Sequence, residues 1–295
     1  MCQFDGLVVS VCASHPEVSL SIPESRKVLF VNFLSVLEPK ESRIIGGIDA
    51  PESYSPHMAA LIFGDKIQIV TCGGSIISRR LVLTAAHCIE DLIMEDGQLI
   101  PSFHLRIGSN KWNSGGTIIH VKNHHMHPQW DPQNFKYDVG ILELEQPVVL
   151  SATVGIVQLD FDYVRGSEEC VVTGWGRTGP REEGDVINLQ PTPILLQLLK
   201  VSTLPHKECQ WLMKEHAGEF WAPHIDNQLE ICTLHSKGHG MCVGDSGSAL
   251  ILKETGRLIA IVSWGYGCAQ GAPDVFASVY GARPFLENFM TTYKD

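Results

Sequence analysis

No apolar run in this chain of 295 residues reaches the roughly 18 needed to cross a bilayer as a helix. No two cysteines have the C-x-x-C spacing of zinc and redox motifs, so the nine cysteines do not read as metal ligands. The Asn-x-Ser/Thr acceptor for N-glycosylation is missing, and so are low-complexity tracts and internal repeats. Cations are the scarce charge: 22 Lys and Arg stand against 33 Asp and Glu, a formal net charge of -11. A surface so acidic repels phosphate backbones and anionic headgroups, which argues against nucleic acid and membrane as partners. With 44% apolar residues the composition is that of an ordinary globular protein, long enough to bury a sizeable core.

Residues 1–43 differ from the rest. Arg26-Lys27 followed by the apolar run Val28 to Leu37 has the outline of a signal peptide, a positive patch and then a short hydrophobic core. It begins late and no small-x-small cleavage site follows; Leu7 to Ala13 is a weaker candidate. The competing reading is a misassigned start or exon boundary. Cys2 and Cys12 lie here and either pair with each other or leave with the segment.

From Ile44 onward, short apolar runs are broken by Gly, Pro, Asn and Asp. They include Met58 to Phe63, Gly74 to Ile77, Leu81 to Thr84, Leu105 to Ile107, Val139 to Leu144, Cys170 to Thr173, Leu196 to Ser202, Ala249 to Leu252 and Leu258 to Val262. Short strands at such spacing point to an all-β sandwich or barrel. The last stretch, Ala282 to Tyr293, places Phe285, Phe289 and Tyr293 at helical spacing and reads as a terminal amphipathic helix.

Three fragments carry chemistry: Leu83-Thr84-Ala85-Ala86-His87-Cys88, Tyr137-Asp138-Val139-Gly140-Ile141-Leu142 and Gly244-Asp245-Ser246-Gly247-Ser248. A serine hydroxyl is a poor nucleophile at neutral pH. It needs a base within reach, and a third group to hold that base in the right tautomer. Asp138 lies beside Val139, Ile141 and Leu142, where an unpaired carboxylate is costly, so a partner is expected and His87 is the natural one. In this order, from about Ile44 to the C-terminus, the chain resembles the chymotrypsin/trypsin family of serine endopeptidases.

The resemblance implies two six-stranded antiparallel β-barrels with the site between them and a C-terminal helix. It divides the chain into a signal or pro-segment over 1–43, removed on activation, a first barrel over 44–157 and a second over 158–295. The seam falls near Gln158 to Glu169. His87, Asp138 and Ser246 are then base, orienting acid and nucleophile, and the amides of Gly244 and Ser246 supply the oxyanion donors. Cleavage after Arg43 frees the Ile44 amine to pair with Asp245. The implied disulfides are Cys72–Cys88, Cys209–Cys232 and Cys242–Cys268. Cys170 matches a family half-cystine whose partner position holds Leu252, so a buried free thiol is expected. Three bridges imply an oxidising, extracellular destination.

The resemblance also places Ser263-Trp264-Gly265 along the substrate backbone and Phe135 beside the neighbouring subsite. Trypsin-like relatives carry an aspartate six residues before the nucleophile as the pocket floor; here that position is Gly240, and Gly265 leaves the mouth open. This implies a chymotrypsin-like preference for large apolar residues. Asp274, at a wall position that is often glycine, leaves open a trypsin-like or mixed preference, an exchange shared by several invertebrate chymotrypsin-like enzymes. A non-catalytic homologue acting as a binding protein is the reading from another class. Ser248 and Ala249, where the family commonly has Gly-Pro, alter packing near the site without removing a catalytic group.

No cofactor and no metal are implied. The calcium loop of some relatives needs carboxylates, and Ser109 to Thr117 holds none. His120, His124, His125 and His127 read as an ordinary loop ending in His-Pro rather than a zinc site, and Arg181 to Asp185 as a solvated loop. The expected partners are protein or peptide substrates, an activating trypsin-like protease and protein protease inhibitors, and the expected state is a monomer.

Overall fold

A computed structural model of the chain describes residues 44–179, 192–218 and 223–293. Cys2, Cys12, the signal-peptide candidates, Arg43 and the loop Arg181 to Asp185 therefore lie outside the described residues.

Among the described residues, fourteen strands and three helices follow Ile44. The first sheet is built from β2 (Met58–Phe63), β3 (Ile69–Ile76), β4 (Leu81–Thr84), β5 (His104–Ile107), β6 (Thr117–Ile119), β7 (Val121–Met126) and β8 (Gly140–Leu144). The second takes β1 (Ile48–Asp49), β9 (Glu169–Gly174), β10 (Gln197–Thr203), β11 (Glu230–Leu234), β12 (Ala249–Leu252), β13 (Leu258–Gly265) and β14 (Asp274–Ser278). The helices are α1 (Ala86–Glu90), α2 (His206–Ala217) and α3 (Arg283–Thr292). All the ladders are antiparallel.

In the second sheet β9 pairs with both β10 and β12, which closes a six-stranded barrel with β1 added at β10. In the first, the order runs β6-β5-β2-β3-β4-β8-β7, so the two edge strands are neighbours in the chain, parted by His120 alone. Through β6 this stretch pairs with β5 and through β7 with β8, so the first sheet curls round into a half-barrel. In the second sheet, closure removes the unpaired edges that would invite aggregation.

The runs read as strands are strands because their apolar side chains fill these interiors. Leu61, Ile76, Leu81, Leu83, Leu105 and Ile141 are fully buried in the first core, with Leu286 of α3 packed among them. The second core gathers Ile44, Val172, Leu199, Leu250, Ile259 and Phe276. The backbone changes partners sharply between the two sheets: the Val157 amide bonds the Ile76 carbonyl, and the Gln158 carbonyl accepts from Leu258. The first residues run the other way, since Ile48 pairs with Leu198 in the second sheet.

The histidine-rich run is strand β7, not a loop. Its polar residues sit on an outer face, and two histidines serve as aromatic packing. His125 lies 4.8 Å from Phe289, while His127 lies 4.5 Å from Tyr137 and 5.0 Å from Phe285. Burial holds His127 below the ordinary histidine range, so the ring packs neutral.

All three disulfides form: Cys72–Cys88, Cys209–Cys232 and Cys242–Cys268. Cys170 is a buried free thiol, and its register partner across β9 and β12 is Leu252. Desolvation, followed by the charge of Glu168, pushes that thiol up to about 12, which keeps it unreactive.

Candidate active site

Pairing of β4 with β8 sets Thr84 opposite Gly140, which brings the start of α1 beside the residues leading into β8. His87 and Asp138 meet there. Asp138 is fully buried, and its carboxylate accepts three hydrogen bonds. Oδ1 takes the His87 backbone amide at 2.9 Å; Oδ2 takes His87 Nδ1 at 2.8 Å and the Ser263 hydroxyl at 2.5 Å. Such donors are what a charged carboxylate needs in place of water. With Nδ1 committed to Asp138, Nε2 is the basic nitrogen of the ring. Burial opposes protonation of His87, but the hydrogen bond and charge of Asp138, then the charges of Asp91 and Glu90, outweigh it and raise its pKa.

Ser246 comes from the other barrel and is fixed by its backbone. Its carbonyl accepts the Gly73 amide of β3 at 2.8 Å, and the next amide, of Gly247, bonds the Val262 carbonyl at 2.8 Å. Gly247 has φ +77°, and a Cβ there would stand 2.3 Å from Thr84 Oγ1 and 2.4 Å from the Gly73 carbonyl. Only glycine fits that turn. The Thr84 hydroxyl in turn bonds the Gly73 carbonyl at 2.8 Å, so the Ser246 turn is stapled to the strand that leads into His87. Ser246 is half-buried at the cleft and its hydroxyl makes no hydrogen bond to His87. In sites without substrate that contact is often long and tightens on binding.

Beside it, Asp245 is fully buried. Its carboxylate accepts the amides of Gly176 at 2.8 Å and Cys242 at 3.0 Å, and no cation among the described residues faces it. Desolvation pushes it up to about 7 against the pull of those two amides. Ile44 is buried in the second core with Met241, and Ile45 bridges to Gly240, so the chain after Arg43 already lies against the loop that leads to Ser246. The amides of Gly244 and Ser246 have no hydrogen-bond partner among the described residues and remain as donors.

A cleft of about 760 Å³ opens beside Ser246, lined by Met241, Trp264, Gly265, Gln270 and Asp274 among others. The register of β13 on β14 places Gly265 opposite Asp274. A Cβ on Gly240 would lie 2.9 Å from Asp274 Oδ2, so the Asp274 carboxylate takes up the room that Gly240 leaves. That oxygen accepts the Met241 amide at 3.0 Å. Desolvation, opposed by this amide and reinforced by the charge of Asp245, pushes Asp274 up to about 7. Phe135 stands at the rim, edge-on to the His87 ring at 6.3 Å.

The cluster of metal-capable donors found among the described residues, Cys72, His87 and Cys88, is not a metal set, because the two sulfurs are bonded to each other. Sequence reasoning missed the tie from Ser263 to Asp138, having placed Ser263 on the substrate strand alone. It also missed Glu230 and Lys136, which converge on Trp264 from 94 residues apart.

The Trypsin family model matches residues 44–286. The chain belongs to the trypsin family of serine endopeptidases. Among its relatives, Trypsin 5G1 of Aedes aegypti is 34% identical over 251 residues, covering 83% of this chain and 84% of the relative. Trypsin alpha-4 of Lucilia cuprina is 27% identical over 280 residues (95% and 96%), and Hypodermin-B of Hypoderma lineatum is 29% identical over 252 (85% and 89%). Within that family's fold this chain holds an imidazole–carboxylate pair, a serine on a constrained turn and two amides without a partner among the described residues.

Proposed function

We propose that this family member is a secreted zymogen that cleavage after Arg43 converts into an active endopeptidase of mixed primary specificity. The observation that carries the reading is the Asp138–His87 pair, linked by Thr84 and Gly73 to the turn that bears Ser246. Ser246 Oγ attacks the scissile carbonyl carbon while His87 Nε2 takes its proton. The oxyanion so formed is held by the amides of Gly244 and Ser246, each such donor worth about 10²–10³ in rate. His87 passes its proton to the leaving amine, the C–N bond breaks, and an acyl-enzyme remains. A water then attacks that ester with His87 again as base, which releases the acid and restores Ser246.

Activation follows from Asp245. A buried carboxyl without a cation is costly, and a new Ile44 ammonium supplies the missing charge, a two-state latch. Arg43 at the cut assigns the activator to trypsin-like proteases. Three disulfides support an extracellular destination, protein inhibitors fit the same cleft, and the working unit is a monomer.

For the primary pocket, the Asp274 carboxylate moves the reading from a purely apolar preference to a mixed one. Lys or Arg pairs with it when it is charged; Phe, Leu or Met packs over it when it is neutral. Names such as trypsin among the relatives agree with the basic half of that preference. The test is a panel of peptides with Phe, Leu, Arg or Lys before the scissile bond, given to trypsin-treated protein. Cleavage after both classes, abolished by Ser246→Ala, is expected. Cleavage unaffected by Ser246→Ala, or none at all, would overturn the reading.

A further inference from the structure

Trp264, next to last in β13, lines the cleft, and its indole N–H donates to Glu230 Oε1 at 2.9 Å. The other oxygen of Glu230 accepts Lys136 Nζ at 2.5 Å and the Asp226 amide at 2.8 Å. Glu230 is 6% exposed and the Lys136 side chain 18%, so this ion pair is largely out of water. Lys136 Nζ also bonds the His224 carbonyl at 2.7 Å and lies 6.0 Å from the centre of the Trp264 ring. Lys136 belongs to the segment of the first barrel that leads to Asp138; Glu230 opens β11 of the second.

A second observation falls on the same segment. Phe135 and Tyr137, the two neighbours of Lys136, have φ of +53° and +55°, a region that bulky side chains rarely occupy. Such conformations persist only where the surroundings over-determine them. The segment closes on itself through paired amides of Asp131 and Lys136. Its tie to the other barrel is the Lys136 ammonium. Beside that anchor, the Phe135 ring faces Trp264 at 6.4 Å and Trp130 at 6.0 Å.

We propose that Glu230 and Lys136 are positioning residues that hold Trp264 and Phe135 as opposed walls, so that substrate residues preceding the scissile one are gripped across the two barrels. The inference rests on the cleft being the substrate site. Both oxygens of Glu230 are occupied by donors aimed at different elements, so loss of its charge frees the indole, the ammonium and the Asp226 turn together. Glu230→Gln cannot replace it: an amide NH₂ must face either the ammonium or the indole N–H, donor against donor. Lys136→Met keeps the stem and removes the anchor.

The experiment compares an extended peptide with a single-residue ester in trypsin-activated wild type, Glu230→Gln, Lys136→Met and the double variant, and reads Trp264 by fluorescence against a Trp264→Phe reference. Loss of a buried charge-assisted bond is worth roughly 10–100-fold, so the peptide-to-ester ratio of kcat/KM falls at least tenfold, mainly through KM. Trp264 emission shifts to the red in the same variants, and Lys136→Arg recovers part of both. The double variant, which leaves no unpaired charge, serves where Glu230→Gln does not fold. Equal losses on both substrates, or an unchanged peptide-to-ester ratio with unshifted emission, would overturn the proposal. A wild type that turns over neither substrate points instead to the reading of the cleft, and the emission shift still decides whether the network positions Trp264.

Discussion

Asp274 Oδ2 lies 2.9 Å from the point where a side chain on Gly240 would begin. The carboxylate beside Gly240 is thus carried on strand β14 and not on the loop that holds Gly240 itself. The groups around it are few: the Met241 amide donates to it, and the charge of Asp245 repels its ionised form.

Primary specificity should therefore depend on pH. Asp274, pushed up to about 7, is neutral below that value and charged above it. The ratio of kcat/KM for Arg over Phe substrates is expected to rise at least tenfold between about pH 6 and pH 8. Asp274→Gly should flatten the ratio and abolish cleavage after Arg and Lys. A pH-independent ratio in the wild type would refute this account of the pocket.

Asp245 ties stability to activation. Its folded pKa, about 7, lies above the ordinary carboxylate value, so its stabilising contribution is complete below about pH 4 and disappears as pH rises towards 7. The uncut chain should lose thermal stability across that window. Once the Ile44 ammonium pairs with Asp245, the cleaved form should melt about 5 °C or more above the uncut form at pH 8. Pairing also raises the amine above its free value of about 8, and activity should fall reversibly as pH passes that raised value. Calorimetry of both forms from pH 4 to 10 checks the two trends.

On the proposed mechanism only neutral His87 acts as base, so the acid limb of kcat/KM should sit above the ordinary histidine value, because the hydrogen bond and charge of Asp138, then the charges of Asp91 and Glu90, outweigh desolvation and raise the His87 pKa. Asp138→Asn removes the hydrogen bond and charge that oppose desolvation. The limb should move below its wild-type position, and the rate should fall about 10⁴-fold. Ser263→Ala takes one donor from the Asp138 carboxylate; a loss of about tenfold with a limb shifted upward is expected. A pH–rate profile of each variant reads both effects.

Cys170 and Leu252 face each other across the β9–β12 ladder. Leu252→Cys should consume the free thiol, detected as loss of thiol titration in denaturant, and raise stability by up to about 4 kcal/mol on the loop-entropy model. A thiol count that rises by one would show that the two side chains diverge.

Strands filled with apolar residues were legible in the sequence. Met58–Phe63, Leu81–Thr84 and Ala249–Leu252 appear with the bounds their hydrophobicity implies, since their side chains are what the barrels bury. Strand β7, Val-Lys-Asn-His-His-Met, was not, because an outward strand held by pairing with β8 needs no apolar pattern. Helix α2 escaped for a similar reason: only Cys209 and Met213 are buried on it. Motif order singled out His87, Asp138 and Ser246, of which the structure pairs the first two, whereas contacts such as Glu230 with Lys136 exist only through the meeting of two barrels.

The most direct test of the central claim is peptide mass mapping of the chain after a serine-directed phosphonate, with and without prior cleavage after Arg43. The account predicts one adduct, on Ser246, formed rapidly in the cleaved protein and hardly at all in the uncut one. A fully cleaved protein with no adduct, or with the label on another residue, would contradict it.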